Sequence, residues 1–361
     1  MKSKKTGVSY PWGEQKPAAT QLQKMAEGVY WVRMPLPFAL DHINLWLLED
    51  EIEGRRGWTL VDTGIARPEV QALWQQIEAQ HLGGLPILRV VVTHMHPDHV
   101  GLARWFCERW QAPLYISLSD YALACLWALP AQGDNALGAT GGEAAAQHFA
   151  RHGLLEAEAQ AQIKQRGSYY ADLVQLPPAQ FNRLMHDGVL TIAGRQWRCI
   201  AGYGHAPEHI ALYCDELKVL ISGDMVLPTI STNVSVFAYE PEADPLRLYL
   251  ESLTCYLSLP ADTLVLPSHG RPFHGLHARI HDLQQHHTDR LAETLEACQH
   301  PEGCSAAELI PVLFKRQLDM HQLTFAMGEA IAHLHALYFQ GQLSRQVDSQ
   351  GIYKFYARLG E

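Results

Sequence analysis

From Val91 to Gly101 the chain reads VVTHMHPDHVG, with His94, His96, Asp98 and His99 inside six residues behind a run of β-branched side chains. Imidazole nitrogen and carboxylate oxygen are donors that suit zinc, iron or manganese, and a tight turn aims alternate residues at different points. His94 and His96 could therefore hold one cation while Asp98 and His99 hold another. One cluster does not close a two-cation site, so further donors are expected at the ends of later strands. Three are found: His205 in AGYGHAPEH after QWRCI, Asp224 at the end of KVLISGD, and His269 at the end of TLVLPSHG. Two divalent cations roughly 3.5–4 Å apart share a water, lower its pKa toward neutrality and present hydroxide to a carbonyl or phosphorus. They also stabilise the oxyanion that develops. Asp98 would align the hydroxide as well as ligate, so hydrolysis is the expected reaction class, with no organic cofactor.

Those donors need strands to carry them. VYWVRM, INLWLLED and GWTLVDTG alternate as short strands, a helix is expected from Pro68 to about Gln80 with proline in its first turn, and LRVVVT is a buried strand. LARWFCERW reads as an amphipathic helix and PLYIS as a strand. Residues 118–188 break the alternation with helix-like stretches and the aromatic, proline-bearing SYYADLVQLPPAQFNRLM, which reads as an inserted helical lid. Strands resume in QWRCIAG, HIALYCD, KVLISGD and TLVLPSH. Two packed sheets flanked by helices are the simplest α/β architecture for this order. Beyond His269, three helices (276–299, one starting at the Ser305/Glu308 capping box, and 323–339) and a hairpin in RQVDSQGIYKFYARL describe a winged-helix-like unit. The expected division is an arm over 1–27, a hydrolase domain over 28–275 and a C-terminal domain over 276–361.

Bulk properties narrow the partners. At 361 residues the chain is long for one core, so two units or a large insertion are expected. Its 28 Lys and Arg against 38 Asp and Glu give a net charge of −10, the wrong sign for a nucleic-acid backbone partner. No apolar segment follows the basic start MKSKKTG, and no apolar run approaches membrane-spanning length, so neither a secretory signal nor a membrane partner is expected. Seven scattered cysteines without a CxxC pair point to reduced thiols and a cytoplasmic location.

VDTG at 61–64, THMHPDH at 93–99, GHAPEH at 204–209, SGD at 222–224 and SHG at 268–270 together resemble the metallo-β-lactamase superfamily, in its glyoxalase-II-like metallo-hydrolases. The resemblance spans about residues 28–275. It implies a four-layer αββα sandwich in which His94, His96 and His205 bind a first divalent ion, and Asp98, His99 and His269 a second. Asp224 would bridge them, and Asp98 and Asp224 would be the catalytic carboxylates. Asp62 would orient ligands through hydrogen bonds. The C-terminal unit is similar to the winged-helix appendage of one branch of the superfamily. Zinc is the expected metal, with iron and manganese also suited to these donors. Glu208 stands where the family often has a small residue, and the lid exceeds the family minimum.

By the same resemblance, a β-lactam hydrolase would typically be exported and carry cysteine at the place of Asp224. Thioesters, lactones and other acyl esters are left as small-molecule substrates, with phosphodiesters or an endoribonuclease activity as the alternative. The third C-terminal helix, LTFAMGEAIAHLHALYFQG, contains no lysine or arginine, so it is expected to pack on this chain or on a second copy in a homodimer and not to grip phosphates. Tyr169, Tyr170, Leu173, Phe181 and Met185 of the lid could line a pocket. Tyr203 could donate to an oxyanion, His209 reads as a structural bridge, and His42 as a satisfied loop histidine.

Overall fold

The computed structural model describes residues 7–129 and 141–358. These fall into two units, the first over 7–129, 171–232 and 252–280 and the second over 141–170, 233–251 and 281–358.

The first unit holds two sheets. Strands β1 (Gln23–Ala26), β2 (Val29–Pro35), β3 (His42–Ile52) and β4 (Arg55–Val61) form an antiparallel meander. Strands β5 (Ile87–Val91), β6 (Leu114–Ile116) and β7 (Asn182–Arg183) then add in parallel. The second sheet runs β12-β11-β10-β9-β8, from β8 (Val189–Ile192), β9 (Arg195–Gly202), β10 (His209–Cys214), β11 (Val219–Gly223) and β12 (Leu264–Pro267). Its pairs are antiparallel except β11 with β12.

Period-two alternation decides which face meets which. Trp31, Trp46, Leu48, Val61 and Val91 of the first sheet pack in one cluster with Trp197, Cys199, Ile210, Leu212, Ile221 and Leu266 of the second. The opposite face of the first sheet takes α1 (Pro68–His81) and α3 (Ala103–Trp110), whose Trp74 and Phe106 rings meet edge to face at 5.0 Å. All five residues of β5 are buried, as expected for a parallel strand covered on both faces.

The second unit is mainly helical. It contains α5 (Gly142–Arg151), α6 (Ala157–Gln165), α9 (Ala306–Leu313), α10 (Met320–Phe339) and the hairpin of β13 (Leu343–Val347) with β14 (Tyr353–Ala357). Capping boxes start α9 at Ser305/Glu308 and α10 at Asp319/Gln322. Thr324, Met327, Ile331, Leu334, His335 and Leu337 are among the buried side chains of α10, so much of its surface, which lacks lysine and arginine, is used within the chain.

The divisions expected from sequence differ in three places. The arm over 1–27 is not a separate element in its described part: Ser9 pairs with His274, and β1 is an edge strand of the first sheet. The insertion over 118–188 is split. Residues 118–129, with α4 (Leu118–Ala128), and 171–188 belong to the first unit, 141–170 to the second, and 130–140 lie outside the described residues. The C-terminal boundary expected after residue 275 falls instead inside α8 (Leu276–Ala297), and residues 233–251 join the second unit. Periodicity reports that a helix forms, but not which core its apolar face enters.

Candidate metal centre

The centre is built from turns at strand ends. After β5 the chain bends through His94 and Met95, and His96, in extended geometry, leads into the four-residue helical turn α2 (Pro97–Val100), with Pro97 at its first position. Thr63 N–H donates to the His99 carbonyl at 2.8 Å and Gly64 N–H to that of Asp98 at 3.0 Å, locking this turn against the one after β4. Gly101 makes the close approach possible, because a Cβ there would lie 2.5 Å from the carbonyl oxygens of Gly64 and Pro97. His205 stands between β9 and β10, Asp224 follows β11 and His269 follows β12. Gly223 has φ +53°, and a Cβ there would run into the His209 ring.

Seven donors converge in two groups. In each of the sets His94, His96, His205, Asp224 and Asp98, His99, His269, the donor atoms all lie within 4.8 Å of one another. In the first, His94 Nε2 is 2.8 Å from His96 Nδ1 and 3.2 Å from His205 Nε2. The groups meet at Asp224. Its Oδ2 is 3.3 Å from His205 Nε2, while its Oδ1 is 3.6 Å from His99 Nε2 and 3.5 Å from His269 Nε2. Asp98 Oδ2 is 3.7 Å from His99 Nε2 and 3.4 Å from His269 Nε2.

Neighbouring groups aim these rings. Asp62, held at φ +60°, accepts from Thr93 N–H at 2.8 Å and Thr93 Oγ1, and its Oδ2 sits 2.8 Å from His99 Nδ1. Thr232 Oγ1 is 2.9 Å from His205 Nδ1. His269 Nδ1 is 2.8 Å from the His42 carbonyl, and His42 Nε2 accepts from Gly270 N–H. His209 Nε2 accepts from Asp224 N–H at 3.2 Å. Each leaves one nitrogen of a candidate ligand ring, or one carboxylate, facing the centre.

Charge is unevenly spread. Burial disfavours the charged form of His99, yet Asp62, Asp98 and Asp224 outweigh it and bring the pKa up to about 9. His269 is raised well above its ordinary value by Asp224 and Asp98 against the same burial. Burial works to raise Asp98 too, but His99 and His269 bring it down to about 2. Burial lowers His94 well below the ordinary value and His96 to about 3, with neighbouring imidazoles adding to it. In the absence of a metal, protons balance the carboxylates on one side, while His94 and His96 stay neutral imidazoles ready to donate lone pairs.

Two atoms test whether a cation belongs here. His99 Nε2 and Asp224 Oδ1 are buried and have no hydrogen-bond partner among the described residues. An orphaned buried polar group costs roughly 1–3 kcal/mol. A divalent ion between these atoms satisfies both, and imidazole with carboxylate is a suitable donor set. The residues fit a metal.

The remaining candidates from sequence fall elsewhere. His209 and His42 buttress the turns that carry Asp224 and His269. Tyr203 is 38% exposed on the loop before His205, with its N–H donating to Ser252 Oγ. Phe181 stacks on Tyr121 at 4.0 Å. Tyr169 and Tyr170 belong to the second unit, where Arg166 lies over the Tyr169 ring and Tyr170 is buried. These four aromatics thus do not come together in one unit. Three buttresses were missed in the sequence. Asn44 donates to the carbonyls of Pro267 and Gly270, Thr232 aims His205, and Asp120 accepts from Met95 and Glu208 N–H groups. Of these, Asp120 alone had a local signal, three residues after Ser117 at a helix start.

A family model described as the metallo-β-lactamase superfamily matches residues 40–269, and one described as metallo-β-lactamase-like, C-terminal domain, matches 291–358. The chain is similar to the probable metallo-hydrolase YqjP of Bacillus subtilis (strain 168), 23% identical over 91% of this chain and 97% of that protein. It is similar to a β-lactamase domain protein from Burkholderia ambifaria, whose crystal structure is 50% identical with TM-score 0.90 over 97% of this chain and 98% of that one. A metallo-β-lactamase family protein from Thermus thermophilus is 28% identical with TM-score 0.74, over 92% and 99% of the two chains. With a histidine and aspartate centre at the strand ends of an α/β sandwich, this chain belongs to the metallo-β-lactamase superfamily and is a metallo-hydrolase of it.

Proposed function

We propose that this metallo-hydrolase works with two ions, zinc by preference, and cleaves a small thioester, lactone or other acyl ester in the cytoplasm. The observation that carries the two-ion reading is the division of Asp224, with Oδ2 toward the first donor group and Oδ1 toward the second. His94, His96 and His205 would hold one ion, Asp98, His99 and His269 the other, and Asp224 would serve both. Such a pair, when bound, supplies Lewis acidity and makes water a nucleophile near neutral pH.

The protein's own groups do the rest. Asp98 is held ionised and is partly open to solvent, so it can accept a hydrogen bond from the attacking water and fix its direction. Thr232, Asp62 and the His42 carbonyl keep the rings of His205, His99 and His269 in their ligating orientation. Tyr203, with its ring at the surface of the His205 loop, is the candidate donor to an acyl oxyanion.

An acyl substrate is favoured over a nucleic acid by charge and by surface. The net charge is −10, and α10 lacks lysine and arginine while burying much of its length. The test is initial rates for metal-loaded protein on acyl-CoA and glutathione thioesters, a lactone and a generic phosphodiester, each beside a chelated control, with bound metal counted by elemental analysis. Chelator-sensitive acyl cleavage with two ions per chain is expected. Turnover of the phosphodiester alone would overturn the substrate class, and one ion per chain the two-ion reading.

A further inference from the structure

The first turn of α4 touches no metal donor, yet it grips two of the loops that carry them. Asp120 is fully buried, and both its oxygens are used. Oδ1 accepts from Met95 N–H at 2.9 Å, between the donors His94 and His96. Oδ2 accepts from Glu208 N–H at 2.8 Å, on the loop between His205 and His209, and from Ser117 Oγ at 3.0 Å. One residue before Asp120, Ser119 Oγ donates to Glu208 Oε2 at 3.0 Å. The Glu208 carboxylate thus lies at the N-terminus of an eleven-residue helix, where negative charge is favoured.

The geometry points to this turn as a clasp, with Asp120 a positioning residue that holds the His94–His96 loop and the His205 loop at ligating distance from each other. The assignment rests on the two-ion reading and extends it: the clasp acts on the ion of the first donor group, since the rings of His99 and His269 are aimed separately by Asp62 and the His42 carbonyl. A helix cap with no further role would also use Ser117 and Asp120. It would have no reason to accept from backbone N–H groups of two ligand loops 113 residues apart, at Met95 and Glu208.

The experiment titrates metal-free protein with zinc against a chromophoric chelator, and reads ligand geometry from the visible spectrum of the cobalt form. In Asp120→Asn one acceptor oxygen becomes a donor facing a backbone N–H. One ion should weaken about 10–100-fold, as when an orienting partner is lost, while the other keeps its affinity. The cobalt spectrum of the weakened ion should change. Ser117→Ala leaves both loop bonds in place and should retain both affinities. Equal weakening of both ions, or unchanged affinities with only a lower melting temperature, overturns the clasp. If Asp120→Asn does not fold, the Ser119→Ala, Glu208→Gln double variant carries the test, with a smaller weakening confined to the same ion expected and no weakening of either overturning it. A wild-type chain that takes up a single ion contradicts the two-ion reading instead, and the clasp is then judged on the affinity of that ion.

Discussion

Asp224 has more depending on it than any other side chain of the centre, because each of its oxygens faces a different donor group and one of them has no hydrogen-bond partner among the described residues. Replacing it by alanine should reduce both metal occupancy and turnover by more than about 100-fold, beyond the 10–100-fold typical of an orienting residue, while far-UV circular dichroism stays native. A full complement of metal in Asp224→Ala would contradict that role. Thr232→Val should act more mildly. It frees the His205 ring without removing a ligand, so metal affinity should fall about tenfold and be visible in competition with a chelator. The clustering of donors was legible because His-x-His-x-Asp-His concentrates them in one turn, and because His205, Asp224 and His269 share a place at strand ends. Asn44 and Thr232 were not, since a buttress is defined by what it touches across the fold and leaves no local pattern.

At the scale of elements, the two sheets are joined by more than apolar contact. Asp50 on β3 is fully buried and pairs with Arg89 of β5 at 2.9 Å. It also accepts from Thr59 Oγ1 and from Ala193 N–H in the turn between β8 and β9, and Arg89 donates to the Thr191 carbonyl. Removing one partner of a buried pair strands the other charge, so Asp50→Ala should cost about 3–5 kcal/mol in urea unfolding. A loss under about 1 kcal/mol, as for an exposed pair, would contradict this linking role. The strands carrying these residues were readable from alternation and β-branched runs, and so was the proline-led start of α1. The grouping of the 118–188 segment was not. A helix such as α5, whose buried residues include Ala145, Ala146 and Phe149, shows the same periodicity whichever core receives it.

At the scale of the whole molecule, buried histidines make the second unit acid-labile. Burial lowers His148 to about 4 and His287 to about 3, neighbouring imidazoles adding to both. It also lowers His333 to about 4 and carries His152 well below the ordinary value. Among the described residues, His148 Nε2, His152 Nδ1 and His287 Nε2 have no partner that would stabilise a proton there. The ordinary value is 6.5, so as pH falls below it the unfolded chain takes up protons at these positions before the folded one does. The stability they contribute is complete above pH 6.5 and is lost as pH falls toward 3–4. Each tenfold loss of proton affinity on folding corresponds to about 1.4 kcal/mol, so four such groups together represent several kcal/mol, comparable with the whole stability of a typical domain. Hydrogen exchange by mass spectrometry, with labelling at pH 7 and pH 4.5, should show α9 and α10 losing protection at the lower pH. In His287→Leu, the proton uptake on unfolding between pH 6.5 and 4 should fall by about one. If protection in α10 is the same at both pH values, the buried histidines are not what limits this unit in acid.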